Sequence, residues 1–150
     1  MATVGAFAII VDDAQRVLLC HRTDIDFWNL PGGRALRGEL PTETVVSETR
    51  EEIGIDVAVI KLIAVYGKPE HGGLAFVFAC MPIGGKLGLS PEVSAYGWYH
   101  LNELPANTLP RHVERIRDAL GGSLTPIFRH HEAAAARKWR VLKHADRIRA

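Results

Sequence analysis

Three glutamates in one short stretch, Glu48, Glu51 and Glu52, form the group in this chain best suited to chemistry. They stand at i, i+3 and i+4, and at about 100° per residue a helix gathers them into a sector of about 100°. With Glu48 at zero, Glu51 falls at about 300° and Glu52 at about 40°. Carboxylates so spaced repel by about 0.2–0.5 kcal/mol per pair in water. A cation removes that penalty, and donors that are all oxygen favour Mg²⁺ or Mn²⁺. The alternative is an ordinary solvated acidic helix. The glycine turn Gly32-Gly33 just upstream, and the additional Glu39, favour a site.

A helix over 41–53 would position these groups. Pro41 suits a first helical turn, where its missing N–H costs nothing, and Gly54 suits a left-handed cap just past the end. Thr42, Val45, Val46, Thr49 and Ile53 fall at about 120°, 60°, 160°, 100° and 140°, one apolar-to-neutral stripe. The stripe is expected to pack on a core while the acidic edge faces outward. Runs rich in strand formers predict strands near 4–11, 16–22, 57–66, 74–82 and 95–101. A second helix is expected near 110–120. Asp12-Asp13-Ala14-Gln15 reads as a hairpin turn, and Gly72-Gly73 and Gly84-Gly85 as punctuation between strands. Strands and helices in this order predict an α/β protein with a mixed sheet sandwiched between helices.

Composition sets the outer bounds. The 150 residues suit one domain, and 47% hydrophobic with 23% charged residues is ordinary for a soluble globular chain. A net charge of +1 disfavours a nucleic-acid partner, which usually demands a marked basic excess. No run of 18 apolar residues occurs, so no membrane-spanning helix is expected. The N-terminus lacks a basic region and runs straight into a strand-like segment, unlike a signal peptide. Cys20 and Cys80 sit in apolar strand-like runs without metal spacing. They read as buried reduced thiols and point to the cytoplasm.

Residues 32–55 resemble the Nudix box: Gly, five residues, Glu, seven residues, then Arg-Glu-aliphatic-any-Glu-Glu-any-Gly-aliphatic. Gly33, Glu39, Glu48, Glu51, Glu52, Gly54 and Ile55 fall in register. Ser47 stands where the pattern has Arg, and Thr49 where it has an aliphatic residue. The flanks are similar too: Trp28-Asn29-Leu30-Pro31 before the glycines, and Gly97-Trp98-Tyr99 with Glu103-Leu104-Pro105 further on. The resemblance covers roughly residues 4–120, with 1–120 the expected domain and 121–150 an added basic helical extension. It implies an α/β/α sandwich of the MutT-like kind. It also implies Mg²⁺- or Mn²⁺-dependent attack of water on a phosphorus of a nucleoside diphosphate derivative. A (d)NTP yielding nucleoside monophosphate and pyrophosphate is the first expectation, and ADP-ribose or another nucleotide sugar the second.

The metal ligands expected from this grouping are Glu48, Glu51 and Glu52 with the Gly32 carbonyl, helped by Glu39; the Gly33 turn lies against the substrate. Glu48 or a loop glutamate serves as general base. Glu92, six residues before Trp98, has the spacing of such a loop residue in MutT-type proteins, with a solvated loop position as the alternative. Arg22, ending a strand, and Asn107, whose amide offers a donor and an acceptor together, resemble substrate readers of MutT-like proteins. Each equally fits a surface or turn role. Phe27 and Trp28 suit base stacking or core packing. Glu70 and His71 read as a polar turn.

Ser47 leaves two states open, since the family's Arg is thought to brace the carboxylates. Either the enzyme is active with altered bracing, or the domain senses nucleotides without cleaving them. Arg50, at about 200°, is poorly angled to substitute. In the extension, Ala135, Trp139, Leu142, Ala145 and Ile148 recur at helical spacing among basic residues. Packing on its own domain is the first use expected of that helix, and contact in a homodimer the next.

Overall fold

The computed structural model describes residues 3–70 and 72–131. Strands β1 (Val4–Ile9) and β2 (Val17–Arg22) are followed by two short ones, β3 (Trp28–Asn29) and β4 (Gly32–Arg34). Helix α1 (Pro41–Ile53) leads into the long strands β5 (Ile55–Lys68) and β6 (Gly73–Gly85). Then come β7 (Val93–Tyr99), a 3-10 turn at Leu101–Glu103, helix α2 (Pro110–Leu120) and β8 (Ile127–His130). One sheet has the order β4-β1-β6-β5-β8, with parallel β1–β6 and β5–β8 pairs and antiparallel neighbours elsewhere; a second has the order β3-β2-β7.

Strands β1 and β2 are buried on both faces, and the period-two alternation sorts the buried side chains into two cores. Ala6, Ala8, Leu18 and Cys20 join Val45 and Ile53 of α1 in one cluster. Ile9, Val17, Leu19, Ala64 and Val77 join Ile116 of α2 in the other. A mixed sheet between helical layers, as expected, is the result.

The ends of α1 follow its sequence. Pro41 occupies the first turn, the Leu40 N–H donates to Glu43 Oε1 at 2.9 Å, and Gly54 closes the helix at φ 82°, its N–H reaching Arg50 O. A side chain at Gly54 would also strike the Lys86 carbonyl. The Asp12–Gln15 turn forms as read, with Gln15 N–H donating to Asp12 O at 3.0 Å.

Gly84-Gly85 ends β6 as read, and because it still pairs with Ile55 and Asp56, a Cβ at Gly85 would meet the Gly54 carbonyl. Three differences from the sequence reading stand out. Leu101 begins the 3-10 turn instead of ending a strand. On α1, Thr42 is exposed and Thr44 is buried in its place. Residues 127–130, where the basic stretch begins, form an edge strand beside β5. The helix expected beyond them, and His71, lie outside the described residues.

Candidate active site

The acidic edge of α1 does not simply face outward. Glu51 is exposed, but Glu48 and Glu52 turn toward the Gly32-Gly33 stretch of β4 and line a cavity of about 420 Å³ with Arg22 and Glu92. Two glycines make this approach possible. A Cβ at Gly33 would fall on the Glu48 carboxylate, and one at Gly32 (φ 146°) would strike the backbone of Ala6 and Phe7. The freed Gly32 N–H donates to Glu52 Oε1 at 3.0 Å.

The electrostatics of this wall are costly. Burial, opposed by the Gly32 hydrogen bond and aided by Glu48 and Glu92, pushes the Glu52 carboxyl up to about 8. Burial also raises Glu48, followed by the charges of Glu51, Glu92 and Glu39. Three carboxylates, Glu48, Glu52 and Glu92, thus share a partly enclosed space in which ionisation of Glu48 and Glu52 is disfavoured. Among the described residues, no three His, Cys, Asp or Glu side chains stand close enough to hold a metal ion as they are placed. The donor chemistry nevertheless fits a hard divalent cation, because the groups on the Glu48–Glu52 wall are carboxylate oxygens beside the Gly32-Gly33 backbone.

The remaining expected residues are distributed as follows. Glu92 is held at the cavity by its loop: Thr23 N–H donates to Glu92 O at 3.1 Å and Thr23 Oγ1 to Pro91 O at 2.9 Å, pinning 90–93 to the end of β2. Arg22 lines the same cavity, with its guanidinium paired to both carboxylate oxygens of Asp24 at 2.9 and 2.6 Å. Glu39 does not line it; Glu39 Oε1 accepts from Leu36 N–H and Thr44 Oγ1, both at 2.9 Å, and so organises the start of α1. Asn107 does not line it either, since its amide donates to the Asp26 carbonyl and carboxylate at 2.9 and 3.1 Å. Trp28 packs edge-on against His21 and Tyr99, which is the core role of the two considered. Glu70 is exposed at the turn after β5.

The family Arg has no replacement on α1. Ser47 Oγ donates back to Thr44 O at 3.2 Å, and Arg50 pairs with Asp56 at 2.6 Å, on the far side of the helix end. The cation that lowers the cost of the Glu52 charge is Arg22, from β2.

Asn29, Arg34, Lys68 and His112 also line the cavity and were not singled out in the sequence. Asn29 is buried and lines the cavity. It stood in plain view inside the Trp28–Gly33 motif. His112 is fully buried on α2; its Nδ1 accepts the Leu30 N–H at 2.9 Å, tying the helix to the strand that leads into Gly32.

A family model described as the NUDIX domain matches residues 1–120. The chain belongs to the Nudix hydrolase family. It is 35% identical over 130 residues to a MutT-like protein of Streptomyces ambofaciens, covering 87% of this chain and 84% of the relative. A Bacillus subtilis (strain 168) protein, provisionally named an 8-oxo-dGTP diphosphatase, is 33% identical over 124 residues, covering 82% and 83%. Among solved structures, a MutT Nudix hydrolase from Burkholderia pseudomallei superposes with a TM-score of 0.69 at 26% identity, covering 79% of this chain and 98% of that one. This Nudix chain is therefore an enzyme that acts on nucleoside diphosphate derivatives.

Proposed function

We propose that the chain is a Mg²⁺-dependent pyrophosphohydrolase that cleaves a (d)NTP to nucleoside monophosphate and pyrophosphate. The observation that carries this reading is the convergence of Glu48, Glu52 and Glu92 on one cavity, beside the glycine turn that makes room for them. Glu48 and Glu52 are the ligands we favour, with Glu51, the outermost of the three helical carboxylates, and the Gly32 carbonyl completing the set. A divalent cation held there by these residues would supply neutralisation of diphosphate charge and activation of water. Glu92, or Glu48 where it is not a ligand, takes the proton from water as its oxygen attacks phosphorus. The bridging P–O bond breaks and the leaving phosphate carries the negative charge toward Arg22 and Arg34. Gly33 places backbone against the same phosphates. Two buried unpaired thiols support a cytoplasmic setting.

ADP-ribose or a related nucleotide sugar is the second reading. It is favoured by an ADP-ribose pyrophosphatase of Methanocaldococcus jannaschii, 32% identical over 103 residues and covering 64% of this chain and 61% of that relative. A panel of nucleoside triphosphates and nucleotide sugars with Mg²⁺, scored for each product, separates the two. Pyrophosphate from a triphosphate supports the first, and nucleoside monophosphate plus a sugar phosphate the second. Tight binding without product across the panel leaves the nucleotide sensor.

Ser47→Arg tests the altered bracing. An Arg at about 260° stands beside Glu51 at about 300°. We expect turnover to rise by about two- to fivefold, the scale of a partly exposed ion pair of under about 1 kcal/mol. A fall would mean that the site has adapted around the serine.

A further inference from the structure

The cavity is electrically divided, and the acidic wall accounts for only one part of it. Lys68, at the end of β5, and Arg34, at the end of β4, both line the cavity, and neither has a carboxylate partner among the described residues. In the sheet order β4-β1-β6-β5, Lys68 lies three strands from β4, which carries both Gly32 and Arg34. That is about 14 Å of backbone at the usual strand spacing. Beneath the intervening floor of Phe7 and His112 lies a third cation, Arg115 of α2, fully buried. Its Nε donates to His131 Nε2 and its Nη1 lies beside His112 Nε2, both at 3.1 Å, while Nη2 has no partner. The aromatic faces of Phe7 and Tyr66, 4.8 and 5.6 Å away, support the guanidinium without neutralising it.

The buried guanidinium is linked through His131 to the Glu114 carboxylate, whose charge offsets part of its burial; the unpartnered lysine set near it has no such relief. Burial, then the charges of Arg115, Arg111 and Arg34, hold the Lys68 ammonium below its ordinary range. No fold requires that arrangement, since neutral side chains of similar size would fill the same volume more cheaply. An anionic group from outside the chain would repay it, because charge-assisted hydrogen bonds strengthen in a partly enclosed site.

We propose that Lys68, with Arg34 on the cavity's opposite strand, forms a subsite for a terminal phosphate of the substrate. The inference rests on the hydrolase reading for its substrate class: it favours a nucleoside triphosphate, or a nucleoside diphosphate derivative ending in a phosphate ester, over one ending in a neutral sugar. The subsite itself needs neither metal nor turnover.

Titration of inorganic pyrophosphate into metal-free protein in excess EDTA isolates it from catalysis. Wild-type protein is expected to bind pyrophosphate, and Lys68→Gln to weaken that binding by about tenfold or more, the scale of one hydrogen bond to a charged group. Lys68→Arg should retain most of it, and Glu48→Gln should leave it equal or tighter by removing a repelling charge. Lys68→Gln is also expected to keep or raise the melting temperature, because an unpartnered charge among cations is lost. Absent binding in the wild type, or affinity unchanged in Lys68→Gln, overturns the subsite whether or not the enzyme turns over. If the subsite holds, the same variant in kinetics with Mg²⁺ distinguishes the sources of the phosphate. A raised KM for nucleoside triphosphates alone identifies a triphosphate terminus, and a raised KM for phosphate-ended nucleotide sugars identifies a phosphate ester.

Discussion

Glu48→Gln is expected to lower turnover by about 10²-fold or more at saturating nucleotide and Mg²⁺, the usual scale for a positioned base or ligand. The substitution keeps the side chain's size, so Gly33 still accommodates it and the fold persists. Part of the nucleotide affinity should also persist, because Arg22, Arg34 and Asn29 line the cavity independently of Glu48. Steady-state kinetics with a purified variant, beside equilibrium binding of the same nucleotide, measures both. Equal turnover in the two proteins would remove Glu48 from the chemistry. A change in affinity with no turnover in either protein would identify a sensor.

Glu52→Gln is expected to separate stability from activity. In the folded, metal-free protein the carboxyl is pushed up to about 8, against 4.5 for an ordinary glutamate, chiefly by burial. Below pH 4.5 it is protonated whether the chain is folded or unfolded. As pH rises through that range to about 8, the unfolded chain ionises freely while the folded one resists, so stability from this group is lost progressively. The neutral Gln escapes the loss. The variant should therefore match wild type near pH 4.5 and exceed it above pH 8, by at most about 5 kcal/mol. Denaturant unfolding in EDTA at several pH values reads the difference. Saturating Mg²⁺ should reverse the order by stabilising wild type through binding. A stability difference that does not vary with pH would mean that Glu52 titrates normally.

Much of this site was legible in the residues because local rules and global placement agree there. The spacing of Glu48, Glu51 and Glu52, the first-turn Pro41 and the capping Gly54 all specify one helix with one acidic edge, and α1 has those bounds. What spacing could not show was which part of that edge faces inward. Angles order side chains around a helix but do not say what lies opposite, and here Gly32-Gly33 lies opposite Glu48 and Glu52. Thr42 was misplaced for the same reason: it is exposed, while Thr44, off the apolar stripe, is buried with its hydroxyl on Glu39. Short strands such as β3 and β4 carry too few residues for periodicity to register. Lys68 and His112 reach the cavity only through the sheet order and the docking of α2, both long-range features. Asn107 shows the reverse, a residue type suited to reading a base that spends its amide on Asp26.

The central claim is that Glu48 and Glu52 hold a divalent cation in this cavity. Titration of Mg²⁺ into the nucleotide-free protein at pH 7, with proton release followed in buffers of different ionisation enthalpy, tests it most directly. Because the Glu52 carboxyl is pushed up to about 8, binding must expel its proton. The expected result is saturable binding with about one proton released per cation, weakened in Glu48→Gln and without proton release in Glu52→Gln. Binding that is absent, or that keeps the same affinity and proton count in both variants, would contradict the account.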